Sequence, residues 1–289
     1  MKNKKRRIII AIVTVIAVAV ATVIAVPLVK KAIENSHIRK YTAQDLANVD
    51  NVILLAHCSE IDGMTNSVAG VKEAVRLGAD AVTVDICFRK DGTPVITDSY
   101  ENSESATTLE ELYVAMNEDD YKNIYIYLNI IQLSAMNKLN SLTIKHNMVG
   151  RTFIIGIDEA HYGIITSDST IIPFLLKYKL SDEDKNTISD GTFTAPECIT
   201  KYGASGLEID AKDATPEVLQ TFNDFGIYFI VSGIDSVESF CEPLLNGAST
   251  VYINDIEKFS EILNDWTVIM QERHSVSVEQ SLADLKQNK

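Results

Sequence analysis

Beyond residue 50 the chain alternates two kinds of apolar pattern. Runs of five to eight residues rich in Ile, Val, Leu and Tyr occur at 52–57, 81–86, 123–130, 152–157, 171–176, 206–210, 227–232 and 249–253. Their length and β-branched content predict eight strands. Between them, 66–77, 108–116, 132–146, 215–225 and 235–246 carry apolar residues at helical spacing. Thr215-Pro216-Glu217 has the form of a helix start, an N-cap followed by proline at the first helical position. Strands alternating with helices predict parallel pairing through crossover connections. Eight such units over residues 50–264 predict an α/β fold, a closed (β/α)8 TIM barrel, although an open doubly wound sheet shares the pattern.

Upstream, Ile8 to Val29 is an uncharged run of 22 residues broken only by Pro27. At ~1.5 Å per residue a helix of that length spans about 33 Å, enough to cross the hydrocarbon core of a bilayer. A cleaved signal has a shorter apolar region and small residues after it, whereas Lys30 and Lys31 follow here. The organisation expected is a basic cytoplasmic segment 1–7, a transmembrane helix 8–29, a juxtamembrane segment 30–49, the barrel 50–264 and a C-terminal appendage 265–289. Five Lys/Arg precede the span, so the positive-inside rule predicts a single-pass cell-membrane protein with a cytoplasmic N-terminus and an extracytoplasmic barrel.

Charge divides the chain in the same place. Of 289 residues, 26 are Lys or Arg and 40 Asp or Glu, a net of −14. Residues 1–31 hold seven of the bases and no acid, leaving the other 258 residues at −21. A body so acidic repels phosphate backbones, and no nucleic-acid partner is expected. Cys58, Cys87, Cys198 and Cys241 show no zinc spacing; outside the cytoplasm they allow two bridges in three pairings, and buried thiols are the alternative.

In such a barrel the chemistry belongs at the C-terminal strand ends. That singles out His57, Asp85, Asp98, Tyr127, Asn129, Glu208 and Asp210. The two-residue strand period puts Thr83 with Asp85, Tyr127 with Asn129, and Glu208 with Asp210 on common faces. Carboxylates two apart on a strand can clasp a divalent cation, and a nearby His can move a proton. Plainer roles exist: Glu208 and Asp210 can cap the next helix or pair with Lys212, and Tyr127 can fill the barrel centre.

The stretch 55–99, LAHCSEIDGMTNSVAGVKEAVRLGADAVTVDICFRKDGTPVITDS, resembles the opening of the glycerophosphodiester phosphodiesterase family. Gly78-Ala79-Asp80, Asp85, Lys90-Asp91-Gly92 and Pro94-Val95 fall at the family's spacing, and 230–235 and 246–255 resemble its last two strands. The resemblance covers about 52–264. It implies a TIM barrel that hydrolyses glycerophosphodiesters to glycerol 3-phosphate and an alcohol, using two histidines and a cation held by carboxylates.

Residue by residue, the expected site is depleted. His57 keeps the first histidine, but the arginine after it is Cys58. The Glu of Glu-Asn-Thr is Thr65, with Asn66 and Ser67 remaining, and Glu-x-Asp is Thr83 and Asp85. The second histidine is Asp98, and Glu-x-Lys is Tyr127 and Asn129. Losing one partner of an acid/base pair removes ~10²–10⁴-fold in rate, and one remaining carboxylate is a poor cation site. The reading is a non-catalytic binding or scaffolding barrel, with His57, Asp85 and Asp98 as the catalytic vestige and Asp85 as the residual metal ligand. Asn66, Tyr127, Asn129, Glu208 and Asp210 are its candidate ligand contacts, and no cofactor is expected. The alternative is a hydrolase with a rearranged site, in which Asp98 replaces the second histidine and Glu60, Asp62, Glu208 or Asp210 help to hold Ca²⁺ or Mg²⁺.

Overall fold

The computed structural model describes residues 25–26, 28–29, 32–33, 35–36, 38–48, 51–57, 64–161, 165 and 171–287, with side chains described as far as residue 277. The chain divides into two units, Met1–Gln44 and Asp45–Lys289. In the first, the described residues as far as Thr42 are helical. Of the 8–29 run only Ala25, Val26, Leu28 and Val29 fall among the described residues. The expected membrane span therefore lies outside them. Among the described residues, no helix is long and apolar enough to cross a membrane.

The second unit is the barrel. Its strands are β1 Ile53–His57, β2 Ala81–Phe88, β3 Pro94–Ile96, β4 Tyr125–Ile130, β5 Thr152–Ile157, β6 Phe174–Lys177, β7 Gly206–Asp210, β8 Phe229–Ile234 and β9 Thr250–Ile253. All but β3 pair in parallel in the order β1, β2, β4, β5, β6, β7, β8, β9, and β9 closes on β1. The closure excludes the open doubly wound sheet. β2 runs past the barrel rim, where residues 86–88 form an antiparallel hairpin with β3. That short strand was not among the expected eight.

The helices are α1 Val68–Arg76, α2 Leu109–Met116, α3 Met136–Lys145, α4 Asp182–Asp190, α5 Glu197–Thr200, α6 Pro216–Asp224, α7 Val237–Leu245 and α8 Ile256–Gln287. Local chemistry starts them. The Ser67 hydroxyl accepts from the Gly70 N–H, Thr108 and Glu111 form a capping box, and Thr215 caps α6 with Pro216 behind it. One difference from the sequence reading is large. α8 runs through residue 264, the expected end of the barrel, and carries Trp266 into full burial and Met270 nearly so. The polar residues before Trp266 and after Met270 concealed a helix that covers the barrel with one face.

Inside the barrel, Leu55, Ala81, Tyr127, Ile155, Leu175 and Ile230 pack as one cluster, with Ile53, Phe153, Tyr228 and Tyr252 against it. Tyr127 therefore fills the centre. It stacks on Phe153 with centroids 4.9 Å apart, and its hydroxyl meets that of Tyr228 at 3.0 Å. Burial pushes its phenol far above the ordinary range. Toward the C-terminal strand ends this apolar layer gives way to a polar one. Cys87, Cys198 and Cys241 are buried free thiols, and burial raises the Cys241 thiol to about 12. Cys58 lies outside the described residues.

Candidate functional site: two halves of the barrel mouth

The polar layer has two parts. On β2, Asp85 is 5% exposed. Its Oδ2 accepts from Asn66 Nδ2 at 2.9 Å and its Oδ1 from Asn129 Nδ2 at 2.6 Å. The Asp85 backbone N–H donates to Asn66 Oδ1 at 3.0 Å. That bond fixes the orientation of the Asn66 amide, because only its nitrogen can then face the carboxylate. Each partner is placed by backbone. Asn66 sits at φ +42° just before the α1 cap, a left-handed conformation that Asn tolerates better than most residues. Asn129 lies in register with Asp85 on β4. Next to it Gly156 has φ +75°, and a Cβ there would overlap Asn129 Oδ1.

This half does not fit a divalent cation. Both Asp85 oxygens face amide N–H donors, which repel a metal ion. The Thr83 hydroxyl lies 3.4 Å from the Ala56 carbonyl and 3.2 Å from the Tyr252 hydroxyl. Tyr127 belongs to the apolar layer below. Among the described residues no three His, Cys, Asp or Glu side chains are grouped to hold a metal.

The second part is a cavity of about 550 Å³ bounded by the ends of β1 and β6–β9. Its walls include His57, Lys177, Lys179, Glu208, Asp210 and Tyr252. His57 meets Tyr252 edge to face at 5.5 Å. Asp210 Oδ2 accepts from Lys212 Nζ at 2.9 Å, and its Oδ1 from the Lys212 N–H at 3.0 Å. Burial works to raise the Asp210 carboxyl, but these contacts and the Lys177 charge outweigh it and hold it below its ordinary value. Asp213, also on the wall, pairs with Lys185 at 2.8 Å. Asp210 thus takes the expected helix-capping and Lys212-pairing role, and Glu208 does not share it.

Of the candidate catalytic residues, His57 is on the cavity wall and Asp85 and Asp98 are not. Asp98 is exposed beyond β3. The Thr97 N–H donates to the Asp85 carbonyl at 2.9 Å. Burial, then the charges of Asp85 and Asp98, raise the Cys87 thiol, which places both carboxylates on the hairpin side of the mouth. Asp85 hydrogen-bonds the two asparagines and not His57. Glu60 and Asp62 lie outside the described residues. Sequence reasoning missed Lys177, Lys179, Ser232, Tyr252 and Asn254 on the cavity wall. Ending the fifth expected strand, the observed β6, at 176 left out Lys177, the polar residue where that strand enters the mouth.

No protein-family model and no curated protein sequence matches the chain. Solved structures do. A candidate glycerophosphoryl diester phosphodiesterase from Silicibacter pomeroyi superposes at a TM-score of 0.60 with 14% identity, covering 76% of this chain and 98% of its own. The fold is that of the glycerophosphodiester phosphodiesterases. A glycerophosphodiester phosphodiesterase from Agrobacterium tumefaciens gives 0.58 and 14%, over 73% of this chain and 98% of the other. An Oleispira antarctica phosphodiesterase, solved with its product sn-glycerol-3-phosphate, gives 0.56 and 12%, over 73% and 96%. This phosphodiesterase fold agrees with the motif spacing at 78–95. At these identities the likeness concerns the fold.

Proposed function

We propose that this chain is a membrane-anchored barrel of phosphodiesterase fold that binds a ligand without hydrolysing phosphodiesters. The observation that carries the reading is the clasp on Asp85, whose two oxygens accept from Asn66 and Asn129 where the family resemblance implies a cation. Phosphodiester cleavage in that scheme needs the cation to offset charge growing on the phosphate, and paired groups to move the protons. His57 lines the cavity without a second histidine among its lining residues, and the Asp85 carboxylate on the neighbouring strand is engaged by amides. In this proposal residues 8–29 hold the barrel at the cell membrane, on the extracytoplasmic side.

The test is turnover of glycerophosphocholine and of an aryl phosphodiester by the full chain in mild detergent, with Ca²⁺, Mg²⁺, Mn²⁺ or chelator. The expected result is no turnover and no rise in melting temperature with any metal. Metal-dependent turnover abolished by His57→Ala or Asp85→Ala overturns the reading in favour of the rearranged hydrolase.

A further inference from the structure

The cavity contains a group that neither the proposed function nor the fold requires. Glu208, in the middle of β7, is 6% exposed. Its side chain makes no hydrogen bond or ion pair with any described residue. The carboxylate is not sealed off either, since no fully buried side-chain oxygen or nitrogen among the described residues lacks a partner. It therefore opens onto the cavity that it lines. A carboxylate with most of its hydration removed and nothing in return is unfavourable unless a binding partner supplies the donors.

Cations stand on the same wall. Lys177 is paired in register with Glu208 across β6 and β7, and Lys179 lies two residues on. Neither forms an ion pair with a described residue. Lys212, the other lysine of the wall, is already engaged by Asp210 at 2.9 Å. The cavity thus presents one unmatched buried anion beside two unmatched cations, with the His57 and Tyr252 rings as another wall. Its volume suits a small organic molecule.

We propose that the cavity binds a small zwitterion. The ligand's ammonium group docks on Glu208, and its carboxylate or phosphate lies between Lys177 and Lys179. A simple anion leaves Glu208 bare, and a simple ammonium ion meets two lysines without an anion of its own. Only a molecule with both charges matches both halves of the wall. The inference names the ligand class for the binding role proposed above and rests on that reading for its biological sense.

Isothermal titration of the full chain in mild detergent tests it with 4-aminobutyrate, glycine and phosphoethanolamine, against butylamine and butyrate as single-charge controls. At about 10 mM ligand, a site with a Kd near 1 mM is almost filled. At least one zwitterion is expected to bind, with each control at least about tenfold weaker, the effect of one good charged contact. Comparing the aminocarboxylates with phosphoethanolamine identifies the anionic group. Glu208→Gln and Lys177→Met are each expected to weaken binding about tenfold or more. Lys177 is exposed, so that variant remains informative if Glu208→Gln folds poorly. Binding of a control as tight as the best zwitterion, unchanged affinity in both variants, or no binding by any of the three zwitterions overturns the inference. Its failure is distinct from that of the non-catalytic reading. Zwitterion binding alongside metal-dependent turnover removes only the latter, and no binding alongside no turnover removes only the former.

Discussion

Asp85 and Glu208 are carboxylates of nearly equal burial, 5% and 6% exposed, on opposite sides of one barrel mouth. The first is held by two asparagine amides and a backbone contact. The second has no partner among the described residues and opens onto a cavity. Satisfied buried charge is a structural device, fixed by its neighbours and indifferent to solutes. Unsatisfied charge beside open volume is a binding device that lowers stability until something fills it. In the proposed reading the β2 side, where the family resemblance implies catalysis, is the structural half, and the β6–β9 side is the one that recognises a ligand.

The largest effect that can break this comparison is at Asn66. Asn66→Ala removes a donor from the Asp85 carboxylate and an acceptor from its N–H, and puts alanine at φ +42°. Together these cost about 3–5 kcal/mol in urea unfolding. Asn66→Gly relaxes the backbone and is expected to recover part of the loss. A loss below about 1 kcal/mol, the scale of an ordinary exposed site, means that the clasp is not structural.

How far the sequence foretold these two halves follows from the range of the forces involved. The eight barrel strands were legible because each is an apolar run with a β-branched core, and β1, β2, β4, β5, β7, β8 and β9 lie within two residues of where the pattern placed them. Asp85, Asn129 and Glu208 were legible as inward polar residues at strand ends. What the sequence did not contain was their partners. Asn66 and Asp85 are 19 residues apart and Asn129 and Asp85 are 44 apart, and only the non-local pairing of β2 with β1 and β4 brings them together. Lys177 lay one residue beyond an expected strand end. α8 was obscured because a one-sided helix with Trp266 buried and polar neighbours resembles a solvated tail.

A smaller effect concerns sign. Asp85→Asn and Glu208→Gln are the same chemical change, and stability at neutral pH is expected to move in opposite directions. Asp85→Asn weakens charge-assisted bonds and turns an amide toward amide donors, costing about 1.5–3 kcal/mol. Glu208→Gln removes an uncompensated buried charge and adds about 1 kcal/mol in the absence of ligand. Denaturant midpoints of the two variants decide it. Equal losses in both mean that Glu208 is as well satisfied as Asp85, and the contrast between the halves disappears.

The smallest effect separates the lysines of the cavity. Lys212 pairs with Asp210, with side chains 72% and 44% exposed, so solvent screening keeps the pair weak. The Asp210 carboxyl is held below its ordinary value in the folded state. Such a depressed group stabilises the fold above the unfolded pKa of about 3.9 and loses that contribution as pH falls through the folded value. Lys212→Met is therefore expected to lower stability slightly at pH 7, and the difference from the parent protein closes as the pH falls through the folded Asp210 value. Added salt is expected to shrink it as well. A deficit that persists in acid traces to packing of the lysine stem rather than to its charge. Zwitterion affinity provides the second readout. Because Lys212 is already engaged by Asp210, its removal leaves that affinity little changed, whereas removal of Lys177, which has no such partner, does not.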